Sequence, residues 1–361
     1  MLEQKIKKAG VFSTFGKYIS DKLKGNWKII TAFIVFEAVF TLLTAPLIVY
    51  FGPFNNLKST LVGSIYSTLS HRYMVDSFLS QEAIERIIGK QGYYATNVPK
   101  TESIQDQAGA VKINTSHSDK VELVQIDGAG IKGYMTFISD PTKVKVGYSS
   151  KLPAMGESTS TIAKANKALA AINAGGFSYN DNVNWSSIGD KFEGFIIHDG
   201  KIVGNANNDD DEKDDAIGIT SKGELIFGKY SANELIKNNV KEAITFFGPQ
   251  LIVKGNKVFK QGEDGGLGVA PRTAIGQKAN GDIIFLVIDG RNIFGSLGAS
   301  VYDVQEILYA NGAVNAIALD GGSSSTMFYN GKVINNVSNP MGERVIPSIF
   351  MMVPENGGSA K

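Results

Sequence analysis

The chain has 361 residues, 43% of them hydrophobic, with 36 basic against 35 acidic side chains and a net charge of +1. That length holds one large domain with additions or two domains, and the even balance of charge offers no field to draw nucleic acid. The absence of cysteine excludes disulfides, thiolate zinc sites and cysteine nucleophiles together, and suits an exported protein of the kind ordinary in Gram-positive bacteria.

Residues 1–28 form a basic tail, and Ile29 to Phe51, "IITAFIVFEAVFTLLTAPLIVYF", is an apolar stretch of 23 residues. About 20 residues of helix cross a bilayer core, so its length predicts a transmembrane anchor, and it exceeds the ~7–15 apolar residues of a cleavable signal. Glu37 inside the span is a cost, and Pro46 near its end favours a kink. Lys5, Lys7, Lys8, Lys17, Lys22, Lys24 and Lys28 precede the span, while only Lys58 and Arg72 follow closely. The positive-inside rule then leaves the short N-terminus in the cytoplasm and places the body of a single-pass protein outside the cell.

Residues 52–120 are expected to be a helical stalk and linker. Leu61, Ile65, Leu69 and Met74 recur at helical spacing, Ser80 with Glu82 and Glu85 opens a second helix, and Gly89 closes it. From Gln91 to about Asp119 the chain is polar and aperiodic.

From residue 121 to 354 the pattern is that of a single β-rich α/β (α+β) domain, and residues 355–361 are a flexible tail. The turn dipeptides Asp199-Gly200, Lys222-Gly223, Gly255-Asn256, Asn280-Gly281 and Asn330-Gly331 each stand between apolar runs, which predicts hairpins. Three places break that habit. A helix beginning near Ser158 leads into "KALAAINAGGF", "DIIFLVIDGR" ends at Asp289, and "VNAIALDGGSSS" repeats that design at Asp320. Between the last two, Val301, Val304, Ile307 and Leu308 mark one face of a helix closed at Asn311-Gly312. Strand, helix, strand predicts a βαβ crossover near the C-terminus of a mixed sheet. Asp289 and Asp320 then meet at one sheet edge, on neighbouring strands or one strand apart.

Two carboxylates in one cleft suit glycoside hydrolysis, with Asp289 or Asp320 acting as base or as stabiliser of the cationic sugar. Gly321, Gly322, Ser323, Ser324 and Ser325 offer backbone N–H groups and hydroxyls to phosphate oxygens, and Arg272 and Arg291 offer fork-shaped donors. Histidine chemistry has little to work with: His71 lies in the stalk and His117 in the linker, leaving His198 alone near a site. The acidic run "NNDDDEKDDA" lacks the glycine and terminal glutamate of a calcium loop, so it reads as a solvated loop.

Six stretches carry a resemblance: "AAINAGGF", "FFGPQLIVKGNKV", "APRTAIG", "LVIDGR", "ALDGGSSSTMFYNGKVIN" and "GERVIP". In this order and spacing they resemble the phosphodiester glycosidases. The resemblance implies an α/β domain that releases free sugar from a sugar-1-phosphodiester and leaves a phosphomonoester. It implies Asp289, Asp320, Arg272 and Arg291 as catalytic groups. It also implies substrate contacts at Asn173, Gly175, Gly176, Gly290, Gly321, Gly322, Ser323, Ser324, Ser325 and Arg344. No cofactor is required, and a need for metal is left open. The chain departs from the family's usual Asn-Gly-Gly-Phe-Phe at Asn173 to Ser178, and has Ser323 where a third glycine is usual. With the anchor, the expected substrate is a phosphorylated glycan of the cell envelope, such as an exopolysaccharide or a teichoic-acid-like cell-wall polymer. The contrasting expectation is a non-catalytic surface polysaccharide-binding protein with Phe177, Tyr179 and Trp185 as aromatic platforms.

Overall fold

The computed structural model describes residues 26–53, 58, 61–63, 65, 73–90, 111–113, 119–128, 130–178, 191–292 and 295–355. It divides into two compact units, Met1–Lys58 and Ser59–Lys361. In the first, Trp27–Phe51 is one helix of 25 residues, with Glu37 and Pro46 inside it. By length and composition it can cross a membrane, and none of its most apolar stretch is buried. Of the seven orienting lysines only Lys28 falls within the described residues, and Arg72, His71, Leu69 and His117 fall outside them.

In the second unit, Gln81–Lys90 is a helix, opened by the Ser80 hydroxyl, which accepts from the Ala83 N–H at 3.3 Å. It runs one residue past the expected stop at Gly89. One point of the expected stalk packs on the body: a Cβ added to Gly63 would lie 2.1 Å from the Gly266 carbonyl oxygen.

Three larger sheets build the body. The first has seven strands in the order Val121–Gly128, Ile131–Ile138, Ile283–Ile288, Arg272–Lys278, Ala313–Ala318, Gln250–Val253 and Asn256–Lys257. The second runs Leu225–Tyr230, Asp214–Thr220, Val240–Thr245, Phe195–His198 and Lys201–Asn205. The third runs Lys332–Val333, Met327–Tyr329, Ala170–Asn173, Ser348–Met352 and Val144–Tyr148. Among the described residues every strand pairing is antiparallel.

The expected crossover therefore takes its second form. Ile283–Ile288 and Ala313–Ala318 run parallel to each other, but both pair with Arg272–Lys278 between them. Arg272 faces Ile288 across the ladder and Ala274 faces Ala318. The C-terminal ends of the outer strands and the start of the middle one thus share an edge. The five expected hairpin turns all join antiparallel partners, with one change of register. Lys254 and Gly255, at φ 49° and 78°, form the third turn and Asn256 already belongs to the strand.

Burial explains why these strands read as unbroken apolar runs. Along Ile283–Ile288, odd-numbered side chains enter one core shared with the other two sheets, through Ile172, Phe227, Ile244 and Phe350. Even-numbered ones meet Val301, Val304 and Leu308 of the covering helix Val301–Ala310. The helices Ala232–Lys237 and Thr159–Ala165 cover the outer faces of the second and third sheets in the same way. A strand buried on both faces loses the alternation that marks a half-exposed one.

Second and third sheets are tied by a buried carboxylate. Glu242 accepts from the Val146 N–H at 2.8 Å and the Asp199 N–H at 3.1 Å, and pairs with His198 Nδ1 at 3.0 Å. Asp199, itself bonded by Lys145 at 2.6 Å, and the ring of Tyr148 complete the surroundings of His198. The Glu242 hydrogen bond raises the imidazole pKa above its ordinary value, against the opposing effect of burial. A raised folded-state pKa stabilises the fold at pH below the unfolded histidine value and loses that stability as pH rises through the folded one. We expect His198→Gln to lower the melting temperature more at pH 5.5 than at pH 8.5. An equal loss at both values removes the ion pair from the account.

Candidate active site

Asp320 stands two residues beyond the Ala313–Ala318 strand and lines a cavity of about 620 Å³. Its Oδ2 is buried and has no hydrogen-bond partner among the described residues. Burial raises its carboxyl pKa, while the Ser324 hydroxyl and the Arg344 charge pull it back. Its backbone is held firmly: the carbonyl accepts from Asn173 Nδ2 at 2.6 Å. Asn173 is itself fully buried, its Oδ1 accepting from Thr273 Oγ1 at 2.8 Å and the Thr326 N–H at 3.1 Å. Asn173, expected to touch substrate, thus ties Asp320 to Thr273 and Thr326 and is not among the residues lining this cavity.

Asp289 is less available. Its Oδ1 accepts from the Asn336 N–H at 2.9 Å and from Asn335 Nδ2 at 3.3 Å, and it does not line the cavity. Burial raises its pKa and those two bonds lower it. With one strand between them, the two aspartate segments start about 10 Å apart, so the edge is shared but the cavity is not.

The glycine-serine turn is more self-contained than a free phosphate nest. Gly322 to Ser324 form a short 3₁₀ turn. The Gly322 N–H donates to Pro271 O at 2.8 Å, the Ser324 N–H to Gly321 O and the Ser325 N–H to Gly322 O, both at 3.2 Å. Among the described residues this leaves the Gly321 and Ser323 N–H groups for a ligand. The glycines are required by space: a Cβ on Gly321 would sit 2.9 Å from Pro271 O, and Gly322 has φ +61°. Gly175 and Gly290 are likewise crowded, against Ser348 Oγ and the Pro271 nitrogen, whereas Gly176 does line the cavity. Ser324 Oγ is buried and faces the Asp320 carboxyl, and Ser325 Oγ is buried with no partner among the described residues.

The arginines divide. Arg272 is buried and its guanidinium donates to the carbonyls of Ala299 at 2.9 Å, Leu267 at 2.9 Å and Gly268. It clamps backbone. Arg291, left-handed at φ 60° and solvent-exposed, donates to Ser323 Oγ at 2.9 Å. Desolvation lowers its pKa, and so does the charge of Arg344, which acts on the same turn. Like charges so placed suit an anion shared between them.

Sequence reasoning missed the other side of the cavity. Glu193, Glu212, Asp214 and Asp215 line it with Asp320, alongside Phe192, Phe246 and Phe247. Three of these acids belong to the run read as a solvated loop, and Asp214 and Asp215 in fact open the strand Asp214–Thr220. Burial raises the Asp215 pKa. Among the described residues no group of three or more acids and histidines could hold a metal ion. Tyr179 and Trp185, the proposed aromatic platforms, lie outside the described residues, as does the side chain of Phe177.

A β-rich body with a glycine-serine turn and a half-buried aspartate at one sheet edge defines a class with known members. The model of the phosphodiester glycosidase family matches residues 166–353, and this chain belongs to that family. It is 28% identical over 232 residues to the SPbeta prophage-derived uncharacterized protein YomE of Bacillus subtilis (strain 168), covering 60% of this chain and 32% of that protein. The chain thus spans about a third of the length of that relative. Bovine N-acetylglucosamine-1-phosphodiester alpha-N-acetylglucosaminidase is 36% identical over 63 residues, 18% of this chain and 12% of that one. The catalytic domain of the zebrafish enzyme of that name, in a form auto-inhibited by its pro-peptide, shares the fold. It has a TM-score of 0.53 and 23% identity, covering 68% of this chain and 87% of its own.

Proposed function

We propose that this chain is a membrane-anchored, extracellular hydrolase that frees a sugar such as N-acetylglucosamine from a sugar-1-phosphodiester in a cell-envelope glycopolymer. The family supports a hydrolase of sugar-phosphodiester linkages, and the observation carrying the site is Asp320: a half-buried carboxylate that lines a cavity, with one oxygen shut away from solvent. Water adds to the anomeric carbon, the bond from that carbon to the phosphate oxygen breaks, and Asp320 takes the proton from water. A phosphomonoester is a good leaving group and needs little acid help. Arg291, Arg344 and the Ser323 hydroxyl take up its charge, the electrostatic term that most often dominates catalysis.

Intact cells carrying the full chain, given an N-acetylglucosamine-1-phosphodiester that does not cross membranes, should release free sugar and phosphomonoester. Release only after detergent lysis would overturn the extracellular placement. No release by detergent-solubilised chain, on this or other sugar-1-phosphodiesters, would overturn the activity.

A further inference from the structure

The segment that leads from the glycine-serine hairpin to the last strand is fastened at both ends. At its start the Asn336 N–H and Asn335 Nδ2 donate to Asp289 Oδ1, and Asn335 Nδ2 also reaches the Ser325 carbonyl at 3.1 Å. Ser338 Oγ then donates to the Gly322 carbonyl at 3.4 Å. Beyond it the chain stands out into solvent in a turn where the Asn339 carbonyl accepts from the Gly342 N–H at 3.0 Å. Met341 on this turn is 91% exposed. Glu343 brings the chain back. Its Oε2 accepts from the Ser160 N–H at 2.8 Å, and its Oε1 accepts from the Ser160 hydroxyl. Val345 and Ile346 then pair with Ser158 and Glu157.

Ser160 belongs to the helix Thr159–Ala165, which already has a cap of its own: the Ser158 hydroxyl accepts from the Thr161 N–H at 3.2 Å. The bonds from Glu343 join positions 183 residues apart, so what they add is the fixing of a distant segment. The next residue of that segment is Arg344. It is half-buried with its Nε closed to solvent, and its charge acts on both Asp320 and Arg291. An arginine between an exposed turn and a two-residue ladder needs a fixed point on the side of the turn. Two charge-assisted bonds to one residue supply it, because they are short and directional.

We infer that Glu343 is the positioning residue for Arg344: by gripping Ser160 it holds the neighbouring guanidinium where the phosphate is released. This rests on the proposed hydrolysis of sugar-1-phosphodiesters, in which Arg344 takes up charge on the departing phosphomonoester. Glu343 itself touches no reacting atom and acts through its neighbour. The pH profile separates placement from charge. The charged and titratable groups about Asp320 are Arg344 and, around the cavity, Glu193, Glu212, Asp214 and Asp215. Burial raises the Asp320 carboxyl pKa, and Ser324 and Arg344 oppose it. If Arg344 drifts away, that pKa rises further and the acid limb of kcat/KM moves to higher pH. Loss of the Glu343 negative charge by itself would move the limb to lower pH.

The test uses the detergent-solubilised full chain and the methyl phosphodiester of N-acetylglucosamine-1-phosphate. Glu343→Ala should lower kcat/KM about tenfold, through kcat more than KM, because charge on the leaving oxygen is greatest in the transition state. Its acid limb should move to higher pH. Arg344→Met should cost about a hundredfold, and Glu343→Ala added to it should cost nothing more, since there is no guanidinium left to place. Glu343→Gln keeps an acceptor for the Ser160 N–H and a donor for its hydroxyl, so it should recover most of the loss. Melting temperatures check that the variants fold. Should Glu343→Ala not fold, Ser160→Ala removes one of the two bonds and decides through the same cycle, with a loss of about threefold. A folded variant with unchanged kcat/KM, or with the same loss whether or not Arg344 is present, makes Glu343 a helix cap only and overturns the inference. So does an acid limb that moves to lower pH in Glu343→Ala and Glu343→Gln alike. Each of these leaves the hydrolase reading standing. Absence of hydrolysis of this and other sugar-1-phosphodiesters by the unaltered chain removes that reading, and the inference with it.

Discussion

Asp320→Asn is expected to lower turnover by about a hundredfold or more, the range for removing a charged catalytic group, while the protein still folds. Folding should survive because the brace acts on backbone: Asn173 bonds the Asp320 carbonyl, and no described residue hydrogen-bonds Asp320 Oδ2. The sign of the pH dependence follows from burial, which raises the carboxyl pKa. A base that must be ionised loses activity as pH falls through its pKa, so the acid limb of kcat/KM should lie above the ordinary carboxylate range. Asp289→Asn provides the contrast. It removes a charge but keeps an acceptor for the Asn336 N–H and Asn335 Nδ2, so most of the turnover should remain. A folded, fully active Asp320→Asn would make Asp320 a turn former, and a severe loss at Asp289 instead would exchange the two roles.

Much of this frame is legible in the residues because it follows from local rules. The turns at Asp199-Gly200 and Asn330-Gly331 need left-handed backbone, and both show it, at φ 47° and 73° and at 46° and 86°. The helix after Ser300 is likewise local, and its Ser300–Asp303 capping box fixes where it starts. What escapes sequence reading is which wall a side chain finally joins. Asp214 and Asp215 look solvated beside "DDDEK", yet they begin a strand whose pairing with Val240–Thr245 carries them to Thr245, Phe246 and Asp320. The only signal was the apolar "AIGIT" directly after them. Gln277 and Gln305 escape for the same reason. Each is fully buried and bonds backbone from elsewhere in the chain, Gln277 serving Leu225, Gly223 and Gly281, and Gln305 serving Val258 and Phe259. Their partners are decided by sheet order, which no local pattern encodes.

The two arginines that look equivalent in sequence should fail in opposite ways. Arg272→Lys cannot reproduce a planar fork serving the carbonyls of Ala299, Leu267 and Gly268. Hydrogen bonds to charged groups contribute about 1.5–3 kcal/mol each, and a buried ammonium short of partners costs more. We therefore expect a loss of about 3 kcal/mol of stability, read by chemical denaturation, with activity falling only as far as the fold does. Arg291→Lys acts on an exposed side chain bonded to Ser323, so stability should barely change. Its guanidinium, whose pKa is lowered by desolvation and then by the charge of Arg344, stands beside Ser323, where a planar fork can take a phosphate through two parallel bonds. A lysine there keeps the charge but not the fork, and kcat/KM should fall by about tenfold to a hundredfold. The fall should appear with phosphodiester substrates and vanish with a sugar carrying an uncharged leaving group. If Arg291→Lys keeps near-normal kcat/KM and Arg272→Lys is stable but inactive, the phosphate lies instead against Arg272, and the loop it clamps belongs to the site.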